Sequence, residues 1–530
     1  MNNTPKSHDV IVVGAGFAGL FMLYRLREMG ISARVLEAGS GVGGTWFWNR
    51  YPGARCDVDS MEYSYQFSAE LQQQWDWTER FATQPEILKY INHVADRFDL
   101  RPDIELNCRV IGAKFDEDES VWRIQSTSGE FAAQHCVMAT GCLSSANMPQ
   151  FEGRELFEGK TYHTGHWPHE GVDFSGKRVA VIGTGSSAVQ SIPLIAEQAA
   201  ELTVFQRTAT YCIPAKNRPL EDQEIQAMKA DYEDFRARNW QEPFGVSFQM
   251  RDLSALDADP VTRDEEYEER WQNGGLRFLA AFNDILVDEN SNETAAEFVR
   301  QKIRGIVEDP ETAAALLPKQ IIGCKRLCLD SGYYETFNRP NVKLIDLSQT
   351  PIKEITAAGI STTEHDHKFD AIVFATGFDA MTGALDKMEI KGRNGISLKE
   401  KWRAGPITYL GLSTAGFPNL YTVSGPGSPS VLSNMVPTIE QHVNWIAACI
   451  GYLKENKLST IEANLDAENN WVTAVNEVAD QTLYPGCNSW YLGANVPGKP
   501  RVFMPYIGVP TYVEKCEQVV ANGYQGFTLA

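Results

Sequence analysis

Gly14-Ala15-Gly16-Phe17-Ala18-Gly19 follows the apolar run Val10-Ile11-Val12-Val13, and Glu37 stands further along the chain at the end of a second apolar run. Gly14 permits a tight turn, Gly16 lets a pyrophosphate approach the backbone, and Gly19 allows close helix packing. Amides at the start of the following helix would face the phosphates, and an acid about twenty residues on can accept both hydroxyls of an adenosine ribose. Gly183-Thr184-Gly185-Ser186-Ser187-Ala188 repeats the plan with alanine for the third glycine. Here Arg207 and Thr208 stand where the acid would be. A carboxylate would repel a 2′-phosphate, whereas a guanidinium grips one in a fork. The first loop therefore suits FAD and the second NADPH. Together they imply electron transfer from nicotinamide to flavin.

A third candidate is His163, His166 and His169, within and just after "FEGKTYHTGHWP" (157–168). Their spacing raises a metal site, but the run has aromatics and Pro168 instead of a regular helix, and no cysteine partner nearby. No metal is expected. Flavin disulfide reductases would need a reactive cysteine pair; the ten cysteines include no C-x-x-C, and Cys324 and Cys328 come closest. Scattered cysteines read as buried small hydrophobes in a reducing compartment.

These residues need strands and helices to hold them. Residues 9–37 read strand, turn, helix, strand, and residues 178–207 repeat the plan, with Pro193 expected to kink the second helix or mark a late start. "CVMATG" (136–141) and "AIVFATG" (371–377) are further strands that end alike. From about 217 to 318 the chain is rich in Glu, Asp, Ala and Arg with helical spacing; "NVKLIDL" then resumes the sheet pattern. An amphipathic helix is expected near 437–455, and a tail too apolar for a linker should pack back on the first domain. The fold class is α/β: two doubly wound Rossmann-like dinucleotide-binding domains with a helical insertion. Residues 1–141 and 379–530 are expected to form the FAD-binding domain, 142–216 and 324–378 the NADP-binding domain, and 217–323 the insertion.

With 43% hydrophobic and 22% charged residues the composition is globular, and a net charge of −21 argues against nucleic acid. The apolar start contains structured glycines, Tyr24 and Arg25, and lacks a basic leader or cleavage site. No membrane partner is expected, and the reading is a cytoplasmic protein.

"FEGKTYHTGHWP" matches, at every fixed position, the F-x-G-x-x-x-H-x-x-x-W-P pattern of type I Baeyer–Villiger monooxygenases. "GGTWFWNRYPGARCD" (43–57) resembles that family's second motif, G-G-x-W-x-x-x-x-Y-P-G-x-x-x-D. The resemblance continues through "CKRLCLDSGYY", "ATGFDA", "GPGSPS" and "GANVPGKPRVF", and is closest to the phenylacetone and cyclohexanone monooxygenase branch. It implies an enzyme that uses FAD, NADPH and molecular oxygen to convert ketones to esters or lactones through a C4a-peroxyflavin. In that family the segment of His163 and Trp167 is a domain linker that couples rotation to catalysis. By the same resemblance Arg326 supplies a cation beside the peroxide anion, and Asp57 holds or tunes it. Lys325 would join Arg207 and Thr208 at the 2′-phosphate, beside the loop residues Ser186 and Ser187. Trp490 would close over the nicotinamide, and Thr45, Trp46 and Trp48 would line the flavin. Ser430, Val431, Leu432 and Met435 would form an apolar substrate wall, whereas Trp75, Trp77, Trp271 and Trp402 read as core. The implied partners are a small-molecule ketone or thioether and oxygen, with the chain a monomer or weak dimer. Competing readings are an N- or S-oxygenating flavin monooxygenase, against which Trp167-Pro168 and Arg326 argue, and a coenzyme-sensing scaffold, against which Glu37 and the second motif argue.

Overall fold

The structure is a computed structural model that describes residues 5–530. The first apolar run forms the strand Lys6–Val13, fully buried over its second half. Burial on both faces calls for parallel neighbours. It has two, Ala33–Leu36 and Gly129–Met138. From edge to edge the sheet runs Glu389–Lys391, Val110–Asp116, Val121–Ser126, Gly129–Met138, Lys6–Val13, Ala33–Leu36, Ile104–Glu105, and Leu420–Thr422 also pairs with Gly129–Met138. The stretch 110–138 is an antiparallel meander, so this sheet is mixed. Trp122 on its middle strand is fully buried and donates its indole N–H to the Pro418 carbonyl at 2.8 Å.

The second sheet is parallel throughout: Val342–Asp346, Glu201–Gln206, Arg178–Ile182, Ala371–Phe374, Lys160–His163. The two A-T-G strands thus fall in different sheets, each beside the strand that feeds a glycine loop. Their shared sequence has a geometric reason. A Cβ on Gly14 (φ +104°) would lie 2.6 Å from the Ala139 carbonyl oxygen, and one on Gly183 (φ +116°) 2.4 Å from that of Ala375. Each loop is pressed against the A-T-G turn, and only glycine fits.

Between 222 and 316 the long elements are helices: Asp222–Ala230, Tyr232–Trp240, Pro260–Asn273, Glu289–Ile306 and Pro310–Leu316. Asp259, Asp288 and Asp309 cap the last three through their carboxylates, two of them ahead of a first-turn proline. The insertion lies within the second domain in sequence but serves both domains in space. Tyr267, Phe282 and Val299 share a core with Val179 and Val373 of the parallel sheet. Ile225, Tyr232 and Phe235 pack into the core of the first sheet. Arg236 fastens that side, donating to the Glu62 carbonyl at 2.9 Å and to Ser64 Oγ at 2.7 Å.

The helix Met435–Glu455 packs on Phe17–Glu28, and tail residues Tyr491, Phe503, Tyr506 and Tyr512 join the same core, as the apolar tail predicts. Trp77, Trp271 and Trp402 are buried, and Trp75 packs against the core. Pro193 lies inside the helix Ser186–Gln198, which begins at the glycine loop, so it does not mark a late start. Two crossings join the sheets, and they lie side by side. Asn147 N–H donates to Gly377 O at 2.9 Å, Asp379 N–H to Ser145 O at 2.8 Å, and Met381 N–H to Cys142 O at 2.7 Å. Among the described residues no helix is long and apolar enough to cross a membrane.

Candidate functional site

At the first loop the helix Phe17–Glu28 starts from Gly16 with no side-chain cap, leaving first-turn amides free for an anion. Glu37 is buried; its carboxylate accepts from Ala15 N–H at 2.7 Å and from Gly39 N–H at 2.6 Å. Burial raises its pKa, and the amide bonds oppose that rise. Two amides leave part of a carboxylate's four lone-pair sites for ribose hydroxyls. The second motif closes over this loop. Gly43 N–H donates to Ala15 O at 2.9 Å, and a Cβ on Gly44 would meet Gly16 Cα at 2.9 Å. The short helix Thr45–Trp48 is thereby laid against the phosphate loop with Thr45 exposed, and Trp46 buried with its indole N–H on Tyr63 Oη at 3.2 Å. These residues fit FAD.

The second loop also heads an uncapped helix, with Gly185 and Ser186 exposed and Ser187 Oγ bonded to Thr164 Oγ1 at 3.1 Å. Thr184 Oγ1 donates to Thr208 O at 2.8 Å, pinning the strand end that exposes Arg207 and Thr208. Lys325 comes to the same place: burial and the nearby charge of Arg207 both lower its pKa. Two neighbouring cations fit a 2′-phosphate.

Arg326 is the centre of the arrangement. Its Nε and Nη2 grip Asp57 Oδ2 and Oδ1 at 2.5 and 2.8 Å, and Nη1 donates to the Val431 carbonyl at 2.9 Å. Burial works against the charge, but Asp57 overrides it and raises the guanidinium's pKa above its usual value. The second motif, the strand Cys328–Asp330 that follows Arg326, and the loop Ser430–Leu432 are thus joined by one side chain. Ser430 adopts φ +43°, uncommon for a residue with a side chain, and is held by Ser424 O at 3.2 Å. Val431 and Leu432 are buried, and Met435 is half-buried at the start of its helix. Tyr491 is buried near Arg326 and burial keeps its phenol neutral, and Trp490 packs on it with ring centroids 4.3 Å apart and the ring planes tilted by 50°.

His163 ends the edge strand Lys160–His163 in register with Phe374. Its Nδ1 accepts from Gly165 N–H at 2.9 Å, so the proton sits on Nε2, 3.3 Å from Thr376 Oγ1. Burial lowers its pKa to about 4, so the ring is neutral at neutral pH. Trp167 is 3% exposed, inside the core of the parallel sheet beside Tyr162 and Phe174. His166 and His169 meet the second motif edge-on, at Trp48 (5.8 Å) and Phe47 (4.8 Å). The two long motifs therefore touch.

Three features lay outside the sequence reading. Val431 acts through its backbone carbonyl, which no motif registers. Gly53 (φ +79°) is a fixed glycine of the second motif, but the reason lies outside it: a Cβ there would lie 2.3 Å from Gln190 O on the helix that follows the second glycine loop. The third is a correction: Cys324 and Cys487, read as inert hydrophobes, form a disulfide across a sequence separation of 163. Pairing at that distance is a tertiary fact that local spacing cannot register. The other eight cysteines are free and buried.

A pyridine nucleotide-disulphide oxidoreductase family model matches residues 11–231. A phenazine N-monooxygenase of Lysobacter antibioticus is 42% identical over all of this chain and 98% of its own. A Baeyer–Villiger monooxygenase of Pseudooceanicola batsensis is 41% identical over 97% of this chain and 95% of its own. Among solved structures, an oxidized steroid monooxygenase bound to NADP has a TM-score of 0.94 at 51% identity, covering 99% of both chains. A closed cyclohexanone monooxygenase reaches 0.97 at 41% identity, covering 99% of this chain and 100% of its own. With both long motifs in contact around an arginine-centred site, the chain belongs to the type I Baeyer–Villiger monooxygenase family, on its cyclohexanone and phenylacetone monooxygenase branch.

Proposed function

We propose that this flavin- and NADPH-dependent monooxygenase is a cytoplasmic enzyme that inserts one atom of O2 beside a ketone carbonyl, giving an ester or lactone. The observation that carries the reading is Arg326, fixed by Asp57 and turned toward the Val431 carbonyl of an apolar loop. FAD, held at the first glycine loop by Glu37, and NADPH, held at the second, would supply the redox chemistry and the activation of oxygen when bound. The chain's own residues do the rest. Arg326 sets a positive charge where oxygen anion charge develops, in a site where water screens it poorly. Asp57 holds the guanidinium plane through a two-point contact and prevents its free rotation. Val431, Leu432 and Met435 present an apolar wall that selects an apolar ketone, and Ser430 fixes the loop. Arg207, Thr208 and Lys325 hold the 2′-phosphate, and Trp490 covers the nicotinamide.

A panel of cyclic, aryl and linear ketones with product identification tests the reaction; absence of ester from every ketone would remove it. Arg207→Ala is expected to lose roughly 1–3 kcal/mol of NADPH binding, about five- to 150-fold in KM, with little change for NADH. Steady-state kinetics with both coenzymes check this, and an unchanged NADPH preference would refute the role.

The linker role of Trp167 has its own test. Trp167→Ala empties a core position and should cost about 3–5 kcal/mol of stability, so Trp167→Phe is the informative variant. It is expected to stay folded and yellow while ester formed per NADPH falls. Thermal melting beside product yield separates the cases: a melting shift with normal yield makes the residue structural only.

The likeness to a phenazine N-monooxygenase favours a second reading, oxygen transfer to an aromatic nitrogen. A nitrogen heteroaromatic belongs in the same panel. An N-oxide without any ester would establish that reading over the first.

A further inference from the structure

Cys324 directly precedes Lys325 and Arg326, and Cys487 lies just before Trp490 and Tyr491. Their Cα atoms are 5.6 Å apart, and both residues are buried. We propose that this disulfide is a redox-responsive staple that holds the Trp490–Tyr491 segment against the Lys325–Arg326 segment, so that reducing it loosens the coenzyme site. The inference rests on the reading of Arg207 and Lys325 as coenzyme ligands.

The segment it secures has little regular structure. From Tyr484 to Tyr506 its only helical elements are the single turns Tyr484–Gly486 and Trp490–Leu492. Its far end is tied to the domain crossing: Asn495 Nδ2 donates to Phe378 O at 2.5 Å, Lys499 Nζ to Ala380 O at 2.8 Å, and Lys499 also pairs with Asp379. Its near end reaches the insertion through Leu483 N–H to Leu286 O at 2.9 Å. The bond joining it to the cation-bearing segment is covalent. A short segment anchored at both ends, with a removable link close to its near anchor, has two states, and the link decides between them. The remaining cysteines are free thiols, so the oxidation is selective. In a cytoplasmic protein a lone disulfide of this kind is usually transient and redox-sensing.

The step balances simply. A dithiol gives two electrons and two protons to the sulfur–sulfur bond, which opens to two thiols, while the dithiol closes its own disulfide. Linkage then demands reciprocity: if the bond tightens coenzyme binding by some factor, bound coenzyme must resist reduction of the bond by the same factor.

The FAD-loaded enzyme should be oxidised, alkylated under denaturing conditions and weighed: eight modified cysteines are expected, and ten after dithiothreitol. NADP+ titrated into the two forms should bind about five- to tenfold more weakly to the reduced one. Saturating NADP+ should raise the dithiothreitol needed for half-reduction by the same factor. A Cys324→Ser/Cys487→Ser double variant should bind NADP+ at the weaker affinity, keep its FAD, and ignore dithiothreitol. A melting shift with equal NADP+ affinity in both redox forms would make the bond purely structural and overturn the proposal, as would ten modifiable cysteines in the oxidised enzyme. If Arg207→Ala and Lys325→Ala leave NADP+ affinity unchanged, the coenzyme reading fails; if they weaken it and the dithiol does not, only the staple fails.

Discussion

Arg326→Ala is expected to keep its flavin, accept reducing equivalents from NADPH, and make no measurable ester. Flavin retention follows because Glu37 and the first glycine loop take no part in the Arg326 cluster. Removing the guanidinium leaves Asp57 and the Val431 carbonyl without their donors and strips the site of its fixed cation. The lost electrostatic term amounts to several kcal/mol in the transition state, roughly a thousandfold or more in ester formation. Breaking the pair also costs stability, less than the about 3–5 kcal/mol of a fully buried pair because the two side chains stay 25% and 22% exposed, so a melting curve must accompany the kinetics. Arg326→Lys separates charge from geometry: an ammonium keeps the charge but cannot span both Asp57 oxygens, and partial activity is expected. Ester per NADPH together with rapid-mixing spectra of the reduced enzyme and oxygen gives the readout. Near-normal ester from the alanine variant would sink the mechanism.

Gly19→Ala should abolish FAD binding and most of the folded yield. A Cβ there would lie 1.8 Å from the Gly14 carbonyl oxygen, inside any tolerable contact, so helix and loop must separate. The corresponding change in the second domain is already present as Ala188, which is fully buried without conflict. Gly185→Ala makes the contrast, since nothing lies within 4 Å of a Cβ at that position. It should fold and stay yellow, and show any effect in NADPH binding. The ratio of flavin to protein absorbance, with melting curves, measures both variants. A yellow, stable Gly19→Ala protein would mean that the loop is far more plastic than its packing indicates.

Features set by short-range rules were readable from the sequence. The glycine loops, Glu37 and Arg207 sit at fixed offsets from apolar runs, and the acid-capped helices of the insertion carry their own start signals. The antiparallel meander at 110–138 carries a different signal, short alternating strands separated by polar turns, which the buried runs of the parallel units do not announce. Arg326 and Asp57 came from resemblance alone, since a basic pair in an acidic chain carries no local sign of its partner. The contact of Gly53 with Gln190, the carbonyl of Val431 and the Cys324–Cys487 bond exist only after remote segments meet. Chemistry held by one segment was legible; chemistry assembled from three was not.

The paired crossings at 142–147 and 377–381 bear on how such a chain tolerates change. For a polymer, enclosing a longer loop costs entropy only logarithmically, and only when its ends must find each other. Here the ends are already hydrogen-bonded to each other. To the first sheet, the parallel sheet between them therefore closes as a tight hairpin, whatever its length. Residues added or lost in the parallel sheet leave that junction unaltered, whereas the insertion, whose Ile225, Tyr232 and Phe235 pack into the first core, is bound to both halves.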